Sequence, residues 1–81
     1  MRTLVLLPDV GAAPVWLSVW YAEAGDTVFA GDRLVEVLVN GATFDVAAPA
    51  TGSLVERHAW PRELLKPGQV LGVVEVDPEA T

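Results

Sequence analysis

An all-β fold, a flattened sandwich or barrel of two antiparallel sheets with approximate two-fold symmetry, is predicted by three observations. Six prolines and seven glycines punctuate the 81 residues. The segments between them are short and rich in Val, Leu, Trp, Thr and Phe, residues that fit a pleated, half-buried surface. Asn40-Gly41 stands alone between two alternating runs, 34–39 and 43–46. Both central residues of a two-residue hairpin turn need positive φ, and Asn-Gly supplies them. Residues 24–37 also lie over 61–74 as a weak repeat, with Gly31 on Gly68, Leu34 on Leu71 and Val37 on Val74. Two similar half-chains point to two interleaved sheets.

The first strand is expected over 2–7, an apolar run that Pro8-Asp9 stops. The second, 15–21, is apolar on both parities. Trp16, Ser18 and Trp20 share one parity, and Val15, Leu17, Val19 and Tyr21 the other. Without a bulge, both tryptophans face the same way, and one set of side chains forms an aromatic surface open to a partner. Further strands are expected over 34–39, 42–47, 53–58 and 70–77, with short pieces near Thr27-Val28 and Leu64-Leu65. Gly25-Asp26, Gly31-Asp32, the run Pro49-Ala50-Thr51-Gly52 and Pro67-Gly68 are turns. In the two Gly-Asp turns glycine takes positive φ and aspartate bonds nearby amides, and the other two pair a proline with a following glycine. The domain is expected to fill 1–78, leaving 79–81 as a frayed tail. Val28, Leu34, Val37, Val46, Leu54, Leu71 and Val74 are its expected core. The hairpin tip should project from one end and the two termini meet at the other.

Length and composition narrow the functional classes. The chain is one small domain, and with no cysteine its sheets must hold without a disulfide. A net charge of −6 repels phosphate backbones and anionic lipid, which disfavours nucleic-acid and membrane-surface binding. No apolar run approaches the roughly 20 residues of a spanning helix. The cytoplasm is the default location.

No catalytic constellation is visible. His58 is the lone histidine and lacks a nucleophile to activate; it reads as a strand-end surface residue. Asp9, Asp26, Asp32 and Asp45 sit on separate turns and strands rather than in one calcium-type loop, and read as turn-stabilising. There is no metal-ligand spacing and no phosphate-cradling glycine loop. The chain is therefore read as no enzyme. The candidates left are for interaction: Trp16, Trp20, Asn40 and Gly41.

The ordered set of motifs resembles the lipoyl/biotinyl carrier domain family, and in particular the lipoyl domain of 2-oxoacid dehydrogenase acyltransferases. Leu7-Pro8-Asp9-Val10-Gly11 resembles the opening of those domains. Trp20 precedes Gly25-Asp26 as the family's tryptophan often does. The runs 25–37, 42–46 and 48–54 follow the family's turns and strands. The resemblance implies the barrel-sandwich hybrid fold and a cofactor, lipoate or biotin, carried on a lysine at the hairpin tip. At that tip the family reads acidic–Lys–Ala. Here it reads Asn40-Gly41-Ala42, with Gly41 on the lysine position and Asn40 on the acidic one. A second acidic position falls on Leu38, and the second Gly-Asp turn is replaced by Arg62-Glu63. The only lysine, Lys66, falls over Phe29 in the repeat, away from the tip by that reading, and reads as a solvated turn residue. The departure from the family at this tip points to a domain without attached cofactor, expected to work as a protein-interaction or scaffold module with 2-oxoacid dehydrogenase components as partners. The alternative is a true acyl or carboxyl carrier with atypical modification. Partner identity, oligomeric state, and whether the chain is a piece of a longer acyltransferase stay open.

Overall fold

Alternation becomes structure wherever each strand can bury every second side chain. A computed structural model describes residues 1–11 and 13–76. Its strands are β1 (Arg2–Leu6), β2 (Val15–Trp20), β3 (Thr27–Val28), β4 (Arg33–Val39), β5 (Ala42–Ala47), β6 (Gly52–Arg57), β7 (Leu64–Leu65) and β8 (Val70–Glu75). They form two four-stranded antiparallel sheets, β1-β8-β6-β3 and β5-β4-β2-β7. The expected strands match these to within one or two residues. Position 77 of the last expected strand and the expected tail, 79–81, lie outside the described residues. Among the described residues no helix is long and apolar enough to cross a membrane.

The seven residues expected in the core are all buried, from Val46 at 7% exposure to Leu54, Leu71, Val37 and Val74 at 0%. Val5, Leu7, Val15, Leu17, Val35 and Leu65 complete the layer between the sheets. No polar or charged residue is buried among the described ones, so the core is purely aliphatic.

The half-chain repeat is a spatial two-fold. At the same offset as the sequence repeat, β2 corresponds to β6, β3 to β7 and β4 to β8. The hydrogen bonds repeat with it. Gly25 N–H donates to the Leu54 carbonyl at 2.7 Å, and Arg62 N–H donates to the Leu17 carbonyl at 2.8 Å. Phe29 N–H donates to Asp32 Oδ2 at 2.9 Å, and Lys66 N–H to Gln69 Oε1 at 2.9 Å. Both halves also carry a bulge at the matching place, between Leu17 and Val19 in one and between Leu54 and Glu56 in the other.

The molecule measures 40 × 19 × 17 Å. At one end the first and last described residues meet, the Val76 N–H donating to the Met1 carbonyl at 2.7 Å. The β4–β5 hairpin points to the opposite end.

Candidate functional site

The tip is a two-residue turn closed by the pair Val39↔Ala42. Asn40 has φ 52° and Gly41 φ 76°, the sign pattern of a type I′ turn, whose twist matches the strands it joins. Val39 is buried beneath it, while Asn40, Gly41, Ala42 and Thr43 are exposed. A carboxamide and a glycine offer no amine and no thiol. The residues of this tip therefore do not fit amide attachment of a carrier acid.

Two further segments reach the same end. The loop from Pro8 to Pro14 starts with an Asx turn, Gly11 N–H donating to Asp9 Oδ1 at 3.0 Å. The turn from Lys66 to Gln69 is closed by the Gln69 N–H on the Lys66 carbonyl at 3.0 Å. Gln69 in turn donates from Nε2 to Glu63 Oε2 at 3.0 Å. The register places this turn differently from the sequence expectation. Val15 pairs with both Val39 and Leu65, so β7 runs parallel to β4 and ends level with it. Lys66 thus follows at the level of Asn40, two strands across, about 10 Å away by ordinary strand spacing. It is at the tip end of the sheet, not away from it, because β7 pairs with β2 in the tip's own sheet.

The outer face beside the tip is apolar. Trp16 pairs with Leu38 on one side and Leu64 on the other, which sets the three side chains in a row across the sheet. Their exposures are 43%, 38% and 53%. A groove of about 480 Å³ runs beside Trp16 and Leu38, lined by these two with Leu17, Ser18 and Arg62.

Trp16 and Trp20 do not share a face. The bulge at Ser18 breaks the alternation between them, leaving Val19 and Tyr21 exposed. Trp20 is half-buried against the core, and its indole N–H donates to the Ala59 carbonyl at 2.8 Å. Its ring lies so close to Gly72 that a Cβ there would sit 3.1 Å from Trp20 Cη2. Arg57, its two-fold counterpart, lies 5.9 Å from the Trp20 ring and 5.5 Å from that of Trp60.

Charged side chains pair elsewhere. Arg33 lies over the Tyr21 ring at 4.9 Å and 3.6 Å from Asp45, and the Tyr21 hydroxyl donates to Glu36 at 3.3 Å. Partial desolvation, then the carboxylates of Asp45 and Glu36, push the Tyr21 phenol above its ordinary value. At the terminal end, Glu56 joins His58 at 2.7 Å and also Arg2. Arg2 reaches Glu75 at 3.1 Å as well. The hydrogen bond from His58, then that from Arg2, hold the Glu56 carboxyl below its ordinary value. Asp9, Asp26 and Asp32 accept backbone amides within their turns, as their sequence context implies, whereas Asp45 stabilises no turn: it lies in β5 and pairs with Arg33.

Sequence reasoning missed Arg62, Leu38 and Leu64 as parts of one surface. A signal was present. Arg62, Leu64 and Lys66 alternate along Arg-Glu-Leu-Leu-Lys, and the repeat sets Arg62 over Gly25. What joins them to Trp16 and Leu38 is strand pairing, which the sequence does not state.

No family model matches the chain. Over 91% of its length it is similar to the lipoamide acyltransferase components of branched-chain alpha-keto acid dehydrogenase complexes from Pseudomonas putida, at 26% identity, and Pseudomonas aeruginosa, at 29%. The chain spans 18% of the length of those relatives. Among solved structures, the lipoyl domain of the 2-oxoglutarate dehydrogenase complex from Azotobacter vinelandii matches 86% of the chain and 87% of that domain, with TM-score 0.68 and 20% identity. A single-chain, multi-domain long-chain acyl-CoA carboxylase matches 99% of the chain over 8% of its own, with TM-score 0.76 and 20% identity. Fold and sequence similarity agree: the chain has the lipoyl-domain fold and resembles lipoamide acyltransferase components.

Proposed function

We propose that this chain is a non-catalytic lipoyl-type domain that carries no cofactor and serves as a protein-interaction or scaffold module. Its partners are components of a 2-oxoacid dehydrogenase or related acyltransferase system, and its expected location is the cytoplasm. The observation that carries the reading is the Asn40-Gly41 tip. The type I′ geometry is retained, both residues at positive φ, yet no nucleophilic side chain stands on it. The similarity to acyltransferase components supports the choice of partners.

Intact mass after co-expression with lipoate–protein and biotin–protein ligases tests this. The wild-type chain should keep its unmodified mass. Asn40→Asp with Gly41→Lys should gain lipoate, since it restores an acidic–Lys–Ala tip on a hairpin of the same length. Lysine at positive φ costs about 1 kcal/mol, which the fold should survive. One observation favours a second reading, a carrier with atypical modification: the only lysine lies at the tip end of the same sheet. A mass increment on wild type that maps to Lys66 would select it and end the cofactor-free reading.

A further inference from the structure

We infer that the groove beside Trp16 and Leu38 on the outer face of β2 and β4, edged by Arg62, docks an extended segment of a partner protein in which apolar side chains alternate with carboxylates. This rests on the reading of the domain as an interaction module and names the surface and the chemistry it selects. Trp16, Leu38 and Leu64 form an exposed apolar row, and the groove beside Trp16 and Leu38 is open rather than enclosed. That shape suits a strand laid across it better than a small molecule, which needs most of its surface covered.

The charges around the row choose the occupant. The chain has five cations. Arg2 and Arg33 sit in ion pairs, and Arg57 lies against Trp20 and Trp60. Among the described residues, Arg62 and Lys66 have no such partner, and they flank β7 on either side of Leu64-Leu65. The acids of this region are already engaged: Glu63, beside Arg62, accepts the Trp60 N–H and Gln69 Nε2, Asp45 pairs with Arg33 and Glu36 accepts from Tyr21. Two uncommitted cations on a chain of net charge −6 mark the place where an incoming carboxylate is welcome. The same net charge opposes a second copy of this chain as the occupant.

Arg62 carries an independent mark. Its φ is 72°, a region that non-glycine residues rarely adopt, and its two-fold counterpart is Gly25 at φ 99°. The same hydrogen bond is made at both places, so the turn itself does not call for arginine. The strained residue lines the groove with Trp16, and strain of this kind concentrates at functional sites. Tryptophan and arginine are also the side chains on which interfaces most often depend. A guanidinium takes a carboxylate bidentately, while neighbouring apolar side chains of the same segment cover Trp16 and Leu38.

Two blocked pentapeptides test the inference, one alternating leucine with glutamate and one alternating leucine with lysine, each titrated to millimolar concentration into the isotope-labelled chain. The glutamate peptide should shift the Trp16 indole N–H and the amides of Leu38 and Leu64, more weakly at high salt. The lysine peptide should leave them in place. Arg62→Gly should weaken binding at least about tenfold while raising Tm by a few degrees, because glycine accepts that φ. Equal response to both peptides, no shift at Trp16, or undiminished binding by Arg62→Gly would overturn the docking site. So would concentration-dependent shifts of these residues without peptide, which would give the face to a second copy. A mass increment on the wild-type chain would remove the cofactor-free reading and leave the peptide results as they stand, so the two failures are separable.

Discussion

At the scale of single residues, the backbone turns on a few positions with positive φ. Gly41 at φ 76° follows Asn40 at φ 52°, and the turn tolerates both because asparagine and glycine visit this region readily. A β-branched residue does not. Gly41→Val should therefore cost about 1–2 kcal/mol, read as a fall of several degrees in Tm. An unchanged melting temperature would show that the turn is not of type I′. The same physics acts against the chain at Arg62, where the positive-φ position keeps arginine while its counterpart keeps glycine. The aspartates show the milder form of local chemistry. Asp9, Asp26 and Asp32 accept amides two or three residues away, which short polar side chains do wherever the chain reverses.

At the scale of elements, strand pairing gathers charges that are distant in sequence. Pairing β1 with β8 and β8 with β6 brings Arg2, Glu75 and Glu56 together, with His58 next to β6. His58 and Arg2 stabilise the Glu56 carboxylate, so its pKa in the folded chain lies below the ordinary value of 4.5. The unfolded chain then binds this proton at higher pH than the folded one. The stabilisation is whole above the ordinary value and is lost as pH falls through the lowered one. Glu56→Gln should accordingly flatten the acid limb of a plot of Tm against pH, below about pH 4.5. Parallel acid limbs for wild type and variant would assign that slope to other carboxylates. The bulge at Ser18 is the other decision made by an element. It sends Trp20 into the seam between the two halves, with its N–H on Ala59, and leaves Trp16 on the surface.

For the whole molecule, two thin sheets share one aliphatic layer with no buried polar residue among those described. With no cysteine, they hold by packing and backbone hydrogen bonds, to which side-chain bonds such as Trp20 on Ala59 and Arg2 on Glu75 add. Leu54 is fully buried at 0% exposure, so Leu54→Ala should cost about 2–5 kcal/mol. A domain this size has a total stability of only about 4–12 kcal/mol, so the variant should unfold at markedly lower denaturant with an unchanged m-value. A change below about 1 kcal/mol would mean that the sheets close over the void. The fold also separates two ends: Met1 and Val76 meet at one, and the hairpin and the Lys66–Gln69 turn occupy the other.

By itself the sequence determined the strands, the turns and the core. Period-two alternation between glycine and proline breaks is a local signal, and Asn40-Gly41 can close only a hairpin of one kind. The repeat of 24–37 over 61–74 was also legible, because the two-fold reuses the same turn chemistry. The candidate site was legible only in part. Asn40, Gly41 and Trp16 could be named, but Trp20 belongs to the seam between the halves, and Leu38, Leu64 and Arg62 went unseen. Only the tertiary structure decided these. A one-residue bulge reverses every side chain beyond it, and no local pattern in Val15–Trp20 announces one. The place of Lys66 depended likewise on which sheet β7 joins. Cross-strand register brings residues from Trp16 to Leu64 into one row, and it is settled by how the two sheets bury their aliphatic faces together.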